Sequence, residues 1–162
     1  MSVTSDAVVA IDREAIRELI YRICLLLDQN KFVEWLAHCT PDFRYTISAW
    51  SPEIRRDMIW LDHDLDGITN LMKMLPKHNS DQTPLTRHAS VYTIDHHPER
   101  GEADVVTSVA IFATALDGGA TELWALGRYH DTVSVADGVP RLRRRNVRLE
   151  TRSLGIGKHW PL

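Results

Sequence analysis

Asp28, Tyr45 and His88 are the residues of this sequence best able to move a proton together. A histidine oriented by a carboxylate, beside a phenol hydroxyl, is a general acid–base set. Asp28 closes the first helical pattern, Tyr45 lies in the first strand pattern, and His88 follows a polar loop. A sheet curled over the helices would bring the three into one pocket. The plainer reading has Asp28 bonding locally and His88 as a satisfied, half-buried histidine. No second catalytic histidine is evident, because the inward candidates of the next strand are Val105, Thr107 and Val109.

Other chemistries find less support. The eight histidines form no H-x-x-x-H or H-E-x-x-H pair, and His96 and His97 would point to opposite faces of a strand. Asp62-His63-Asp64-Leu65-Asp66-Gly67 opens like a calcium-binding loop, but the twelfth position is Lys73 where a bidentate Glu is needed. These acids suit the start of a helix, where its dipole favours negative charge. Cys24 and Cys39 fall in apolar helical patterns and read as buried thiols. No G-x-G-x-x-G, phosphate-binding loop or G-x-S-x-G string occurs. No metal or cofactor is expected in this chain.

Six arginines crowd between Arg141 and Arg152. They fit a charged, solvated strand edge, an ion-paired subunit interface or a nucleic-acid surface. The last lacks the interleaved aromatics of a stacking platform.

The elements that must position these groups are legible in order. Asp12 can cap a helix carrying Ile16, Leu19, Ile20, Ile23, Cys24 and Leu27 at three-and-four spacing, ending near Asp28. A short helix over 31–38 follows and Pro41 ends it. Residues 43–48 alternate as a first strand, and 56–61 make a short second one. Residues 65–75 predict a third helix, closed by Pro76. From Leu85 the pattern becomes strands: 85–95, 103–115, 121–135 and the arm beginning at Arg141. Turns fall at 98–101, at Asp117-Gly118-Gly119 and at Ala136-Asp137-Gly138. In the last strand Leu142 differs in parity from Val147 and Leu149, which predicts a β-bulge near Arg144-Arg145.

Three helices followed by four consecutive strands predict an α+β fold with an antiparallel meander. Leu123 and Ala125 are placed on one face of their strand and Trp124 and Leu126 on the other, with Phe112 and Leu116 opposite the core face of the preceding strand. The sheet therefore reads as apolar on both sides, and its outer side as a subunit contact. Phe112, Trp124, Leu126, Arg128, Arg144, Arg145 and Arg148 are the interface candidates.

The length of 162 residues suits one domain over 11–162 after a flexible arm over 1–10. With 44% hydrophobic residues the core can be substantial, and a net charge of −3 argues against nucleic acid. No stretch reads as a membrane span or signal peptide, so the expected location is the cytoplasm.

Four strings together carry a family resemblance: EAIRELIYRICLLLDQNKFVEWLAHCTPDFRYTI, WLDHDLDGITNLMKML, LTRHASVYTI and GRYHDTVSVADGVPRLRRRNVRL. Their order resembles the small (β) subunit of ring-hydroxylating oxygenases of the Rieske type, within the cone-shaped superfamily that includes scytalone dehydratase and nuclear transport factor 2. The resemblance implies a curved sheet wrapped on helices, a homotrimer, and assembly with three larger α subunits. It places the Rieske [2Fe–2S] cluster and the mononuclear iron in the α subunit and leaves the β subunit mainly structural. The alternative it keeps open is a cofactor-free dehydratase or isomerase using Asp28, Tyr45 and His88. Three stretches depart from the aromatic dioxygenase pattern: PKHNSDQTPLTRH, Gly138 followed by Val139-Pro140, and the ending GIGKHWPL. They leave the substrate class open, a small alkanesulfonate included.

Overall fold

The computed structural model describes residues 10–78, 81–155 and 161–162. The arm expected over 1–10 lies outside them, except for Ala10. Asp12 opens the first helix, α1 (Arg13–Asp28), and accepts from the backbone N–H groups of Glu14 and Ala15 at 3.0 and 3.1 Å. These are donors that a helix start otherwise leaves open. The apolar stripe from Ile16 to Leu27 is buried as its spacing predicts. Asn30, at φ 55°, turns the chain into α2 (Phe32–Ala37). Then come β1 (Cys39–Ser51), β2 (Arg56–Asp64), α3 (Leu65–His78), β3 (Leu85–His97), β4 (Glu102–Thr114), β5 (Thr121–Ser134) and β6 (Arg141–Leu149).

The fold is α+β, with one six-stranded sheet in the order β2-β1-β6-β5-β4-β3. The predicted antiparallel meander runs from β3 to β6. The pairing of β1 with β6 is parallel and has no local signature. It covers what would be the open edge of the meander with the β1–β2 hairpin. Every one of the five pairings carries a register shift. Such irregularities increase twist and bend strands, and here they curl the sheet around α1, α2 and α3.

Several boundaries differ from the sequence expectation. β1 begins at Cys39 and contains Pro41, which lies where the β1–β6 register shifts between Cys39 and Arg44. A residue without an N–H is tolerated there because the ladder is already interrupted. β2 runs on to Asp64. α3 continues through Pro76 to His78, since a proline in the last turn disturbs little of the helix beyond it. The bulge of β6 is one step earlier than expected: Leu142 faces Val133 and Arg144 faces Thr132, so Arg143 is the extra residue. This brings Leu142, Arg145, Val147 and Leu149 to the inner face, all buried. A second bulge makes Trp124 the extra residue of β5, because Ala125 pairs with Ile111 and Leu123 with Phe112. Leu123 therefore does not share the face of Ala125.

Candidate functional site

The inner face holds a charge pair. Asp131 and Arg145 are cross-strand neighbours on β5 and β6. The guanidinium donates to both carboxylate oxygens, Nε to Oδ1 at 2.9 Å and Nη2 to Oδ2 at 2.7 Å, and both side chains are fully buried. The guanidinium carbon lies 3.9 Å from the centre of the Tyr129 ring, a cation–π contact in a dry setting. Burial pushes the Asp131 carboxyl above its ordinary range, and the charge of Arg145 works against that shift. Arg145 was an interface candidate. The structure places it inside its own chain, because the bulge at Arg143 turns it inward.

A second set of contacts closes the mouth of the cone. Arg87 Nη1 donates to Asp28 Oδ1 at 2.8 Å, and the Arg87 backbone N–H reaches the same oxygen at 3.1 Å. Arg87 Nη2 donates to the carbonyl of Pro161 at 2.5 Å. The Tyr45 hydroxyl accepts from the Leu162 N–H at 2.8 Å and lies 3.1 Å from the Leu162 carbonyl oxygen. Leu162 is buried among the core residues. Trp35, Phe43 and Tyr45 meet ring to ring, with centroids 5.6 to 6.4 Å apart. Burial pushes the Tyr45 phenol up to about 12. Beside Leu27, Phe32, Arg87 and Pro161 there remains a recess of about 20 Å³, room for one water.

The postulated acid–base set does not assemble. Arg87, not His88, takes the inward position on β3 and claims Asp28. His88 is exposed on the outer face, edge-on to the Phe112 ring at 5.2 Å. The alternation of a strand puts neighbours on opposite sides, so Arg87 and His88 cannot both enter the cone. Tyr45 is spent on Leu162.

Among the described residues no group of three His, Cys, Asp or Glu is placed to hold a metal ion. The calcium-like string is divided: Asp62 pairs with Arg44 at 2.8 Å, and Asp64 accepts from the Gly67 N–H at the start of α3 at 2.8 Å. Both thiols are buried and unpaired with each other, and burial pushes Cys39 up to about 12.

The outer face is the other candidate surface. Its apolar residues gather at two ends, Phe112, Leu123 and Leu126 at one and Trp50 and Ile59 at the other. Between them the strands present Arg128, His130, Thr132, Arg144, Asn146 and Arg148. The face carries apolar residues, and the largest of them gather at its ends. Arg148 binds Asp57 through both terminal nitrogens, at 3.0 and 2.8 Å. Arg143 bonds Asp42 at 2.9 Å and also Glu102. Among the described residues no ion pair engages Arg128 or Arg144. Arg128 stands opposite Arg148, and like charges opposite each other repel. Arg144 lines a polar depression of about 450 Å³ with Arg44, Arg100, Glu102 and Asp104. Trp124, also an interface candidate, packs partly on the core and donates Nε1–H to the Leu154 carbonyl at 2.9 Å.

The inner charge pair escaped the sequence reading although a signal was present. Asp131 sits between Tyr129 and Val133 at the same parity, and Arg145 lies two residues before Val147. A polar residue inside an apolar period-two stripe, matched by an opposite charge across a hairpin, marks a buried pair.

The SnoaL-like domain family matches residues 9–146. The chain is 42% identical over 156 residues to the methanesulfonate monooxygenase hydroxylase subunit β of Methylosulfonomonas methylovora, covering 92% of this chain and 86% of the relative. It is 33% identical over 151 residues to the 2-aminobenzenesulfonate 2,3-dioxygenase subunit β of an Alcaligenes species, covering 93% and 99%. Its backbone is similar to a crystal structure from Novosphingobium aromaticivorans assigned as an aromatic-ring-hydroxylating dioxygenase β subunit. That similarity has a TM-score of 0.73 at 18% identity and covers 88% of this chain and 92% of the other.

Proposed function

This chain belongs to the SnoaL-like family and, within it, to the β subunits of multicomponent oxygenases; from that premise we propose that it is the non-catalytic scaffold of a cytoplasmic sulfonate oxygenase of the Rieske type. It forms a homotrimer and holds three α subunits in register, so that the Rieske cluster of one lies near the mononuclear iron of its neighbour. The observation that carries this reading is the contrast between the two faces of the sheet. The inner one is filled by its own chain, and the outer one presents Arg128 and Arg144, which make no ion pair among the described residues, and an apolar patch of Phe112, Leu123 and Leu126 that Arg128 borders. Arginine suits planar carboxylate pairing at interfaces, and an exposed apolar cluster rimmed by polar groups is a contact surface. Trp124 and Arg148 flank it as further contacts. The sulfonate class comes from both curated relatives and is selected in the α subunit.

The test is coexpression with an adjacently encoded Rieske α subunit. The expected result is co-purification of both chains in equal amounts, and turnover of methanesulfonate or 2-aminobenzenesulfonate only when both are present. A β chain that stays monomeric and leaves the α subunit active alone sinks the proposal.

A further inference from the structure

We propose that the polar depression on the convex face is a binding site for a small organic sulfonate, held by Arg44, Arg143 and Arg144. Arg44 and Arg144 stand opposite each other in the parallel β1–β6 pairing. Adjacent residues of a regular strand face opposite sides. The bulge of β6 suspends that rule, so Arg143 and Arg144 are both exposed and both line the depression of about 450 Å³. Three guanidinium groups thus share one hollow. Like charges side by side repel, and an anion placed among them removes the repulsion.

The donors left free select the ligand. Arg44 binds Asp62 through Nε and Nη2, which leaves Nη1. Arg143 binds Asp42 through Nε and Glu102 through Nη1, which leaves Nη2. These carboxylates fix two of the guanidiniums before any ligand arrives, and preorganisation of this kind lowers the cost of binding. Arg144 makes no ion pair among the described residues. The acids lining the depression do not answer it. Asp42 and Glu102 are taken by Arg143, while Asp104 accepts from Thr132 at 3.1 Å and lies 3.0 Å from His97 Nε2. One uncommitted cation matches one negative charge. Donors on three arginines match three acceptor oxygens, which a sulfonate has and a carboxylate lacks. Inorganic sulfate shares the oxygens but carries a second charge, and it leaves unfilled a hollow large enough for an organic body.

The binding itself depends only on this chain's residues. That the ligand belongs to the substrate class of the complex rests on the proposed function. A partner carboxylate at Arg144 would compete with the anion, so the full chain is titrated without an α subunit.

The experiment follows the arginine Nε–H signals of the nitrogen-15-labelled chain by NMR as methanesulfonate or benzenesulfonate is added at constant ionic strength. Saturable shifts are expected at Arg44, Arg143 and Arg144, and none at Arg148, which is committed to Asp57. Arg144→Gln should weaken binding about tenfold, the loss expected for a charge-assisted hydrogen bond, with the thermal midpoint unchanged. No saturable shift, or binding that Arg144→Gln leaves as it was, overturns the site. Acetate and sulfate, added at the same ionic strength, test the ligand class. If either binds as tightly as the sulfonates, the sulfonate assignment falls and only general attraction of anions is left.

Discussion

At the scale of single residues, burial sets the chemistry. Arg145 and Asp131 neutralise each other where neither meets water. Removing one partner strands the other, so Arg145→Met is expected to cost about 3–5 kcal/mol, measured by urea unfolding. Replacing both together should cost less than the sum of the single changes. Cys39 has its thiol pushed up to about 12 by burial, and Cys24 is raised for the same reason. Neither should react with a thiol reagent at pH 8 until the chain unfolds; prompt labelling of the native protein would contradict the packing. Because the folded values for Cys39 and Tyr45 are raised, their contribution to stability is whole below the unfolded values of about 9 and 10. It is lost as pH climbs through about 12.

At the scale of elements, close approach and tethering decide. Gly127 on β5 lies against β6 so tightly that an added Cβ would stand 2.3 Å from the Arg148 carbonyl oxygen and 2.9 Å from the Leu149 Cα. Backbone cannot yield as a flexible side chain does. Gly127→Ala should therefore cost at least about 1–3 kcal/mol, read as a lowered thermal midpoint. Past β6, Arg152 donates to both carboxylate oxygens of Glu53 in the β1–β2 turn, at 2.9 and 2.7 Å. That bond holds the Glu53 carboxyl down to about 2. Whatever this tether contributes is present above the ordinary value of 4.5 and is lost as pH falls through about 2. An NMR titration of Glu53 should show the low midpoint, and Arg152→Ala should return it toward 4.5.

At the scale of the molecule, one sheet divides two environments. Its concave side is closed by its own aromatics, its charge pair and Leu162. Its convex side carries Arg128 and Arg144, which make no ion pair among the described residues. Arg128→Glu with Arg144→Glu is expected to abolish co-purification with the α subunit. It should change stability by no more than about 0.5 kcal/mol, as surface substitutions do. Loss of assembly together with a large loss of stability would assign these residues to the fold instead.

The amino-acid order by itself determined the helices, the meander and the need for a bulge in the last strand. Those follow from spacing within a few residues, such as Ile16 to Leu27 or the parity break between Leu142 and Val147. It also determined the family, since that depends on the order of whole segments. The tertiary structure alone decided which neighbour on β3 goes inward, Arg87 over His88. A shift of one residue at a bulge reverses every side chain beyond it, and where the shift falls is set by pairing across the sheet. The parallel seam of β1 with β6 and the lodging of Leu162 on Tyr45 join residues about a hundred positions apart, and no local pattern encodes such a partner.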